Sequence, residues 1–209
     1  GPPAIPGFWK TVLQNSAEFQ EDIEEHDEPV LDHLRDITHE YLDDTRLTGF
    51  RLVLHFNPNP FFSCAELVKV YHTERKNEFV DRLDCVRIDA PAIPWKAGKN
   101  VTVEVASKKA KGAGRKAKSK RREEVSRPSF FRTFFRDLGP DAEIPEEELE
   151  DQEDEEDAVD LMDALLNDDY DQALALREFI VPHAVRWYTG AACDDEDLEE
   201  EEEEEEEEE

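Results

Sequence analysis

Alternating apolar and polar residues predict β-strands in the middle of the chain. Between Phe50 and Phe56 the apolar residues Phe50, Leu52, Leu54 and Phe56 recur at every second position, the period of a strand with one face toward a core. Three more segments, each bounded by turn residues or charge, are predicted as strands: ELVKVYHT, DRLDCVRID and VTVEVAS. Their short connections favour an antiparallel meander.

Helical spacing predicts two helices before Gly49. The apolar face of the first comprises Phe8, Trp9, Val12 and Leu13. After a break at Pro29, the face of the second runs through Val30, Leu31, Leu34, Ile37 and Leu42. Asp27 and Glu28 before Pro29 indicate the start of this second helix, with a capping acid and a proline in the first turn.

Two further helices are predicted after the strands. The segment SFFRTFFRDL has the spacing of a short helix with one aromatic face, which we expect in the core: Phe130, Phe131, Phe134 and Phe135. Beyond Asp141, apolar residues at roughly helical spacing predict a helix that packs onto the domain: Val159, Leu161, Met162, Leu165, Leu166, Leu174, Phe179 and Ile180.

Charge is segregated along the chain. The 209 residues contain 55 acids and 25 bases, a formal net charge of -30. Residues 1–140 carry 22 acids and 23 bases, whereas residues 141–209 carry 33 acids and only two bases. From Asp194 onward, 15 of 16 residues are acidic, so this segment has nothing to bury and its like charges oppose helix formation. A dense tail of one charge sign is suited to a strongly cationic partner.

One basic run stands out against this background. Residues 108–122 hold nine cations and no acid: Lys108, Lys109, Lys111, Arg115, Lys116, Lys118, Lys120, Arg121 and Arg122. Such runs serve as nuclear-import signals read by a transport receptor, but a solvated loop or an intramolecular partner for the acidic tail explains them as well. Stable nucleic-acid binding is not expected, because no aromatic residues are interleaved and the acidic segment repels phosphates.

The motifs give no indication of an enzyme, a metal site or a cofactor site. The sequence lacks a GxSxG motif, a phosphate-binding glycine loop and an HExxH motif, and the acidic runs lack the calcium-loop pattern. Cys64, Cys85 and Cys193 are an odd number without CxxC spacing, so we expect free thiols, two of them buried. No spanning helix or secretory signal is indicated, and an intracellular protein without membrane contact is expected.

Six ordered motifs resemble the nucleosome assembly protein family of histone chaperones. They are IPGFWKTVLQN, HDEPVLDHLRDI, GFRLVLHFNPNPFF, IPWKAGKNVT, PSFFRTFF and EFIVPHAVRWYTGAA, followed by a glutamate tail. The resemblance implies an α+β fold, in which an antiparallel sheet is covered by helices and an acidic concave surface engages the histone 2A/2B dimer and the histone 3/4 pair. It also implies that the basic run lies on an accessory hairpin associated with nuclear import, in a protein that shuttles between nucleus and cytoplasm.

On this basis, sixteen acids are expected to contact histones: Glu146, Glu147, Glu148, Glu150, Asp151, Glu153, Asp154, Glu155, Glu156, Asp157, Asp194, Asp195, Glu196, Asp197, Glu199 and Glu200. The proposed action is non-enzymatic, covering histone surfaces that bind DNA and promoting nucleosome assembly and exchange. The alternative is a regulatory interaction protein of the related SET-type branch, either a phosphatase inhibitor or a transcription adaptor.

The sequence predicts one domain with appendages. Residues 1–192 form the core, with a basic accessory hairpin or loop at about 106–125 and an acidic segment at about 141–157, and residues 193–209 form a disordered acidic tail. Family members carry a long dimerisation helix upstream of the IPGFW motif, and Gly1-Pro2 is typical of a protease-cleavage remnant. We therefore expect a homodimer for the native protein and a monomer for this chain.

Overall fold

The computed structural model describes residues 5–75, 83–107, 122–142 and 155–192. Its helices are α1 Phe8–Gln14, α2 Ala17–Gln20, α3 Glu28–Leu31, α4 Phe130–Thr133, α5 Glu155–Ala175 and α6 Ala184–Thr189, with a π-helical segment Leu176–Ile180 between the last two. Its strands are β1 Leu34–Tyr41, β2 Gly49–Phe56, β3 Glu66–Glu74, β4 Asp84–Asp89, β5 Val103–Ser107 and β6 Arg122–Ser126.

Strands β1 to β4 form an antiparallel sheet in the order β1-β2-β3-β4, so the predicted meander is confirmed. Its composition differs from the prediction at both ends. The VTVEVAS segment lies outside this sheet as β5 and pairs only with β6 in a separate two-stranded hairpin. The sheet has four strands because β1, for which the sequence predicted a helix, pairs with β2 at the other edge.

The prediction of a helix from Val30 to Leu42 is wrong beyond Leu31. Leu34 and Ile37 are both buried although they lie three residues apart, a spacing that indicates a helix. The register between β1 and β2 shifts between Leu34 and Asp36, so a β-bulge at this point turns both apolar side chains toward the same face. The bulge thus produces helical spacing within a strand.

Gly49 is required where β2 begins, because the chain passes close to β3. Its φ is 123°, and a Cβ at this position would lie 1.9 Å from the carbonyl oxygen of Tyr71. No side chain fits this approach. The residue therefore sets how closely the start of β2 approaches its neighbouring strand.

The helices cover one face of the sheet and enclose an aromatic core. Phe130, Phe131 and Phe134 are buried, and Phe135 is half-buried against the same cluster, which confirms the prediction for this segment. Their rings make edge-to-face contacts with Phe19 of α2 and Trp95. Burial of such large aromatic surfaces is a main source of stability in a core of this kind.

Asp27 begins α3 with Pro29 in the first turn, as predicted, but its side chain has a different role from a cap of its own helix. The buried carboxylate accepts hydrogen bonds from the Ser129 hydroxyl at 2.5 Å and the Phe130 amide at 2.7 Å. It therefore fixes the start of α4 to the N-terminal helices, a contact between residues about one hundred positions apart.

Helix α5 and the π-helical segment after it pack onto the domain as predicted, with two exceptions. Leu166 and Ile180 are buried, but Val159 and Phe179 are each 61% exposed. The π-helical segment widens the turn just before Pro182, and Phe179 then projects outward. None of the helices within the described ranges is long and apolar enough to cross a membrane. Cys64 is a half-buried free thiol and Cys85 a buried one, whereas Cys193 lies outside the described residues.

Candidate interaction surface

A buried ion pair determines how α5 sits on the sheet. Lys69 of β3 is fully buried, and its Nζ donates to Asp169 Oδ1 at 2.6 Å and Oδ2 at 2.5 Å. The same ammonium donates to the carbonyl oxygen of Phe134, and Tyr71 donates its hydroxyl proton to Asp169 at 3.0 Å. One carboxylate on α5 thus joins two side chains of β3.

Burial dominates the protonation equilibria of this cluster. It lowers the pKa of Lys69 to about 8, although the nearby Asp169 carboxylate favours the charged ammonium. Burial also raises the pKa of Asp169 against the opposing effect of Lys69, and raises that of Tyr71 well above its ordinary value. Both partners therefore lose more free energy through dehydration than an exposed pair would. The favourable contacts that remain are specific to one rotation of α5 about its axis.

That rotation decides which acids of α5 face solvent. Asp169 points inward to Lys69, whereas Asp160, Asp163, Asp168 and Asp171 are exposed. Adjacent residues on a helix differ by about 100° around the axis, so Asp168 and Asp169 cannot both face the core. The ion pair therefore directs four carboxylates away from the domain.

An acidic surface forms where α5 meets α2. Gln172 of α5 donates from Nε2 to the Glu18 carbonyl oxygen at 3.2 Å and to Asp22 Oδ2 at 3.1 Å. These bonds place two acids of α5 beside three acids of α2 and the turn after it. We call this set the α2–α5 acidic surface, and it comprises Glu18, Glu21, Asp22, Asp168 and Asp171.

The α2–α5 acidic surface is charged without local compensation. Four of its carboxylates are exposed and that of Asp22 is half-buried. In the described part of the chain, no Lys or Arg forms an ion pair with any of the five. Carboxylates close to one another make the local electrostatic potential strongly negative, which attracts a cationic partner. The surface is thus a rigid, accessible block of negative charge.

The opposite face of the sheet has a different electrostatic character. Arg51 Nε donates to Glu40 at 3.0 Å, and Asp89 accepts from Arg87 Nε at 2.6 Å and lies 2.9 Å from His72 Nε2. On this face, Glu40 and Asp89 thus have basic neighbours on the same or the adjacent strand.

The comparisons with known proteins decide the family. A family model described as nucleosome assembly protein (NAP) matches residues 1–191. The chain belongs to the nucleosome assembly protein family. The family and the fold predicted from the six sequence motifs are therefore confirmed.

Relatives in this family share about a third of their aligned residues with the chain. Nucleosome assembly protein 1-like 1 of Xenopus tropicalis is 36% identical over 205 residues, covering 94% of this chain and 48% of the relative. Nucleosome assembly protein 1-like 4 of Homo sapiens is 35% identical over 203 residues, covering 94% and 50%. The chain thus spans about half the length of the curated relatives it matches.

Solved structures of this family have the same fold. Nucleosome Assembly Protein 1 from Plasmodium knowlesi aligns with a TM-score of 0.61 at 31% identity, covering 89% of this chain and 68% of that chain. A second structure, of a malaria parasite nucleosome assembly protein, aligns with a TM-score of 0.58 at 28% identity, covering 90% and 68%.

Most of the acids predicted from sequence lie outside the described residues. This holds for those between Glu146 and Asp154 and for those between Asp194 and Glu200. Glu155, Glu156 and Asp157 form the start of α5, so the acidic segment leads directly into this helix. The five acids of the α2–α5 acidic surface were not among the predicted residues. The spacing of Asp168 and Asp171, three apart on a polar helix face, was the available signal.

The basic run is bracketed by the β5–β6 hairpin. Ser107 pairs with Arg122 across the two strands, which brings the ends of the run together. Residues 108–121 lie outside the described residues, so the structure does not test their predicted role. No group of three His, Cys, Asp or Glu side chains in the described ranges has the geometry to hold a metal ion.

Proposed function

We propose that this chain is a histone chaperone that binds the histone 2A/2B dimer, the histone 3/4 pair or both, and shields their DNA-binding surfaces. The observation that carries the proposal is the α2–α5 acidic surface, whose five carboxylates form no ion pair with a Lys or Arg among the described residues. Family membership supports it, because the relatives are named nucleosome assembly proteins.

The proposed mechanism uses two sources of negative charge, the α2–α5 acidic surface and the acidic segments of the sequence. The α2–α5 acidic surface is held by packed helices and supplies a fixed pattern of carboxylates, which favours one orientation of the bound histone. The acidic segment at 141–157 and the tail at 193–209 add negative charge and accelerate association. At physiological salt the Debye length is about 8 Å, so attraction requires many charges close to the partner.

Release is part of the same proposal. Single exposed ion pairs contribute at most about 1 kcal/mol, so bound histone can transfer stepwise to DNA, whose phosphates compete for the same cations. Wrongly placed contacts between free histone and DNA are suppressed while the carboxylates cover the histone. Assembly and exchange of nucleosomes then follow from competition between two polyanions and need neither cofactor nor covalent step.

Transport and oligomeric state complete the proposal. The nine cations of residues 108–122 serve as an import signal, and the native protein shuttles between nucleus and cytoplasm as a homodimer. A fluorescent fusion whose nine cations are replaced by Gln should lose nuclear accumulation. Light scattering of the chain, with and without histone 2A/2B dimer, gives the mass of both species.

The central test measures histone affinity after neutralising the α2–α5 acidic surface. A quadruple variant with Glu18→Gln, Glu21→Gln, Asp168→Asn and Asp171→Asn is compared with a control that removes four exposed acids elsewhere, namely Asp44→Asn, Glu74→Gln, Glu104→Gln and Glu124→Gln. Affinity for labelled histone 2A/2B dimer and histone 3/4 pair is measured by fluorescence anisotropy at several salt concentrations.

The surface variant should bind histones at least about tenfold more weakly than the control, because both have the same net charge and only one loses the clustered acids. Equal affinities of the two variants would overturn the assignment of this surface. Binding of the wild-type chain to a phosphatase catalytic subunit, without affinity for either histone pair, would overturn the chaperone function itself.

A further inference from the structure

The two edge strands of the four-stranded sheet differ in how their outward backbone groups are hydrogen-bonded. At the β4 edge, Ile88 donates its amide to Leu138 at 2.8 Å and receives the Leu138 amide at 3.0 Å. Ala90 donates its amide to Asp137 Oδ1 at 2.6 Å. At the C-terminal end of β4, the backbone groups of Ile88 and the Ala90 amide therefore have partners from the segment that follows α4.

The β1 edge is open at its C-terminal half. Leu42 donates its amide to Gly49 across the hairpin at 3.0 Å, and in an antiparallel pair the residues that bond inward alternate along the strand. Thr38 and Glu40 therefore bond to β2, and the backbone N–H and C=O groups of His39 and Tyr41 point outward. By the same alternation the Ile37 amide points away from β2, and it donates to the Asp36 side chain at 2.9 Å instead.

Only the start of β1 carries features that block a further strand. The bulge next to Leu34 and the Asp36 side chain on the Ile37 amide disrupt or occupy the edge there. Residues 38–42 contain no proline, no lysine and no register shift. In the described ranges no backbone or side-chain group bonds to the outward groups of His39 and Tyr41. This half of the edge is ready to pair with a partner strand.

The side chains that flank the open edge have two characters. On the face away from the helices lie Asp36 and Glu40, both exposed. On the helix side lie His39 and Tyr41. The guanidinium carbons of Arg46 and Arg177 lie 4.9 Å and 5.5 Å from the centre of the Tyr41 ring. An added strand would therefore meet acids on one face and a rigid aromatic on the other.

Apolar surface continues beyond the strand end. Leu42 and Leu47, in the connection between β1 and β2, are 38% and 41% exposed. Together with Tyr41, which is 38% exposed, they offer contact for apolar side chains of an incoming strand. Exposed apolar residues beside unpaired backbone groups are typical of edges that bind another chain.

We propose that the open half of the β1 edge binds an extended segment of a basic partner, in which Lys or Arg alternates with apolar residues. The apolar residues lie over His39 and Tyr41, and the cations face Asp36 and Glu40, the second of which also accepts from Arg51. Charge complementarity selects this occupant, because residues 32–48 carry five acids and only two Lys or Arg. Three of these acids, Asp36, Asp43 and Asp44, form no ion pair with a Lys or Arg in the described ranges. A second copy of the chain would bring the same acids to the interface. The binding mode is independent of the α2–α5 acidic surface.

Three synthetic peptides test the proposal on the full chain. The first is a decamer of alternating Lys and Val, the second has its Val amides N-methylated, and the third has its Lys amides N-methylated. All three have the same charge, but in an antiparallel added strand only the Val amides point toward β1 when Val lies over His39 and Tyr41. By fluorescence anisotropy, methylation at Val should weaken binding by about tenfold or more, while methylation at Lys leaves it largely unchanged. Equal effects of the two methylations, or no effect of either, would show attraction by charge alone and overturn the proposal.

Hydrogen exchange locates the bound peptide. The amides of His39 and Tyr41 should exchange fast in the free chain and slowly with the Lys-Val decamer, whereas the Glu40 amide is protected in both states. Protection that appears without peptide as protein concentration rises would assign the edge to a second copy and overturn the choice of partner. Protection only at other strands would overturn the site.

A proline substitution provides the matched variant. His39→Pro removes an outward amide that the sheet does not use, so the strand should tolerate it, whereas His39→Ala keeps this amide. Only the proline variant should lose affinity for the Lys-Val decamer. Full binding by a folded His39→Pro chain would contradict the proposal. If this variant fails to fold, the N-methylated peptides still decide the question with the wild-type chain.

Discussion

The Lys69 ammonium and the Asp169 carboxylate form a buried ion pair that joins an inner strand of the sheet to α5, with Nζ–Oδ distances of 2.6 and 2.5 Å. A buried ion pair contributes little net stability, since dehydration opposes the attraction, but it strongly favours one arrangement of its elements. Here the favoured arrangement turns Asp169 inward and leaves Asp168 and Asp171 on the α2–α5 acidic surface.

Removing one partner of this pair should be far more costly than removing both. Asp169→Ala leaves a buried, unpaired ammonium, and we expect a loss of about 3–5 kcal/mol in the free energy of unfolding. The double variant Lys69→Met with Asp169→Leu should recover most of this loss. Urea denaturation of Asp169→Leu, Lys69→Met and the double variant measures the coupling. Asp168→Ala, at the exposed neighbour, should change stability by less than about 0.5 kcal/mol. Additive effects at Lys69 and Asp169 would contradict the description of a coupled pair.

Replacing Gly49 by alanine should destabilise the sheet by roughly 3 kcal/mol. The new Cβ would lie 1.9 Å from the Tyr71 carbonyl oxygen, so the start of β2 must move away from β3. Gly98 is the matched control, because its φ of 68° is also positive but nothing lies within 4 Å of its Cβ position. Gly98→Ala should cost about 1 kcal/mol, and similar losses of unfolding free energy for both variants would rule out the close approach.

The buried Cys85 thiol should make stability fall in alkaline solution. Burial raises its pKa from 9.0 to about 11, so between these values the unfolded chain loses the proton while the folded chain keeps it. The stability that the neutral Cys85 thiol contributes is fully present below pH 9 and is lost as the pH rises to 11. The stability difference between wild type and Cys85→Ala should therefore shrink over this range by up to about 2 kcal/mol, as measured by denaturation at each pH. A difference that stays constant would contradict the burial of this thiol in its neutral form.

Deleting Asp194 to Glu209 should weaken histone binding and flatten its salt dependence while the domain stays folded. The deleted segment carries fifteen carboxylates, so fewer ions are exchanged on binding when it is absent. Affinity measured across a salt series tests this, with a chain of equal length whose fifteen acids are replaced by Gln or Asn as the control for length. Unchanged affinity and salt dependence in both chains would exclude a role of the tail.

The sites that the sequence did not indicate depend on contacts between distant residues. Glu18, Glu21 and Asp22 are scattered among apolar residues of α2 and the following turn. They become part of one surface with Asp168 and Asp171 only because Gln172 contacts Asp22 across 150 positions of the chain. Likewise, the buried role of Asp169 depends on Lys69, which lies 100 residues earlier in a strand whose alternation alone does not reveal a buried cation.

Local patterns by themselves determined β2, β3, α4, the apolar side of α5, the segregation of charge and, through six ordered motifs, the family. These features depend on residues close in sequence, whose period directly reflects the geometry of one element. Only the tertiary structure decided that Leu34–Tyr41 is a strand, because a β-bulge gives Leu34 and Ile37 the spacing of a helix and pairing with β2 then selects the extended backbone. It also decided that Asp169 turns inward while Asp168 turns outward, since a carboxylate enters a core only where a cation such as Lys69 compensates its dehydration.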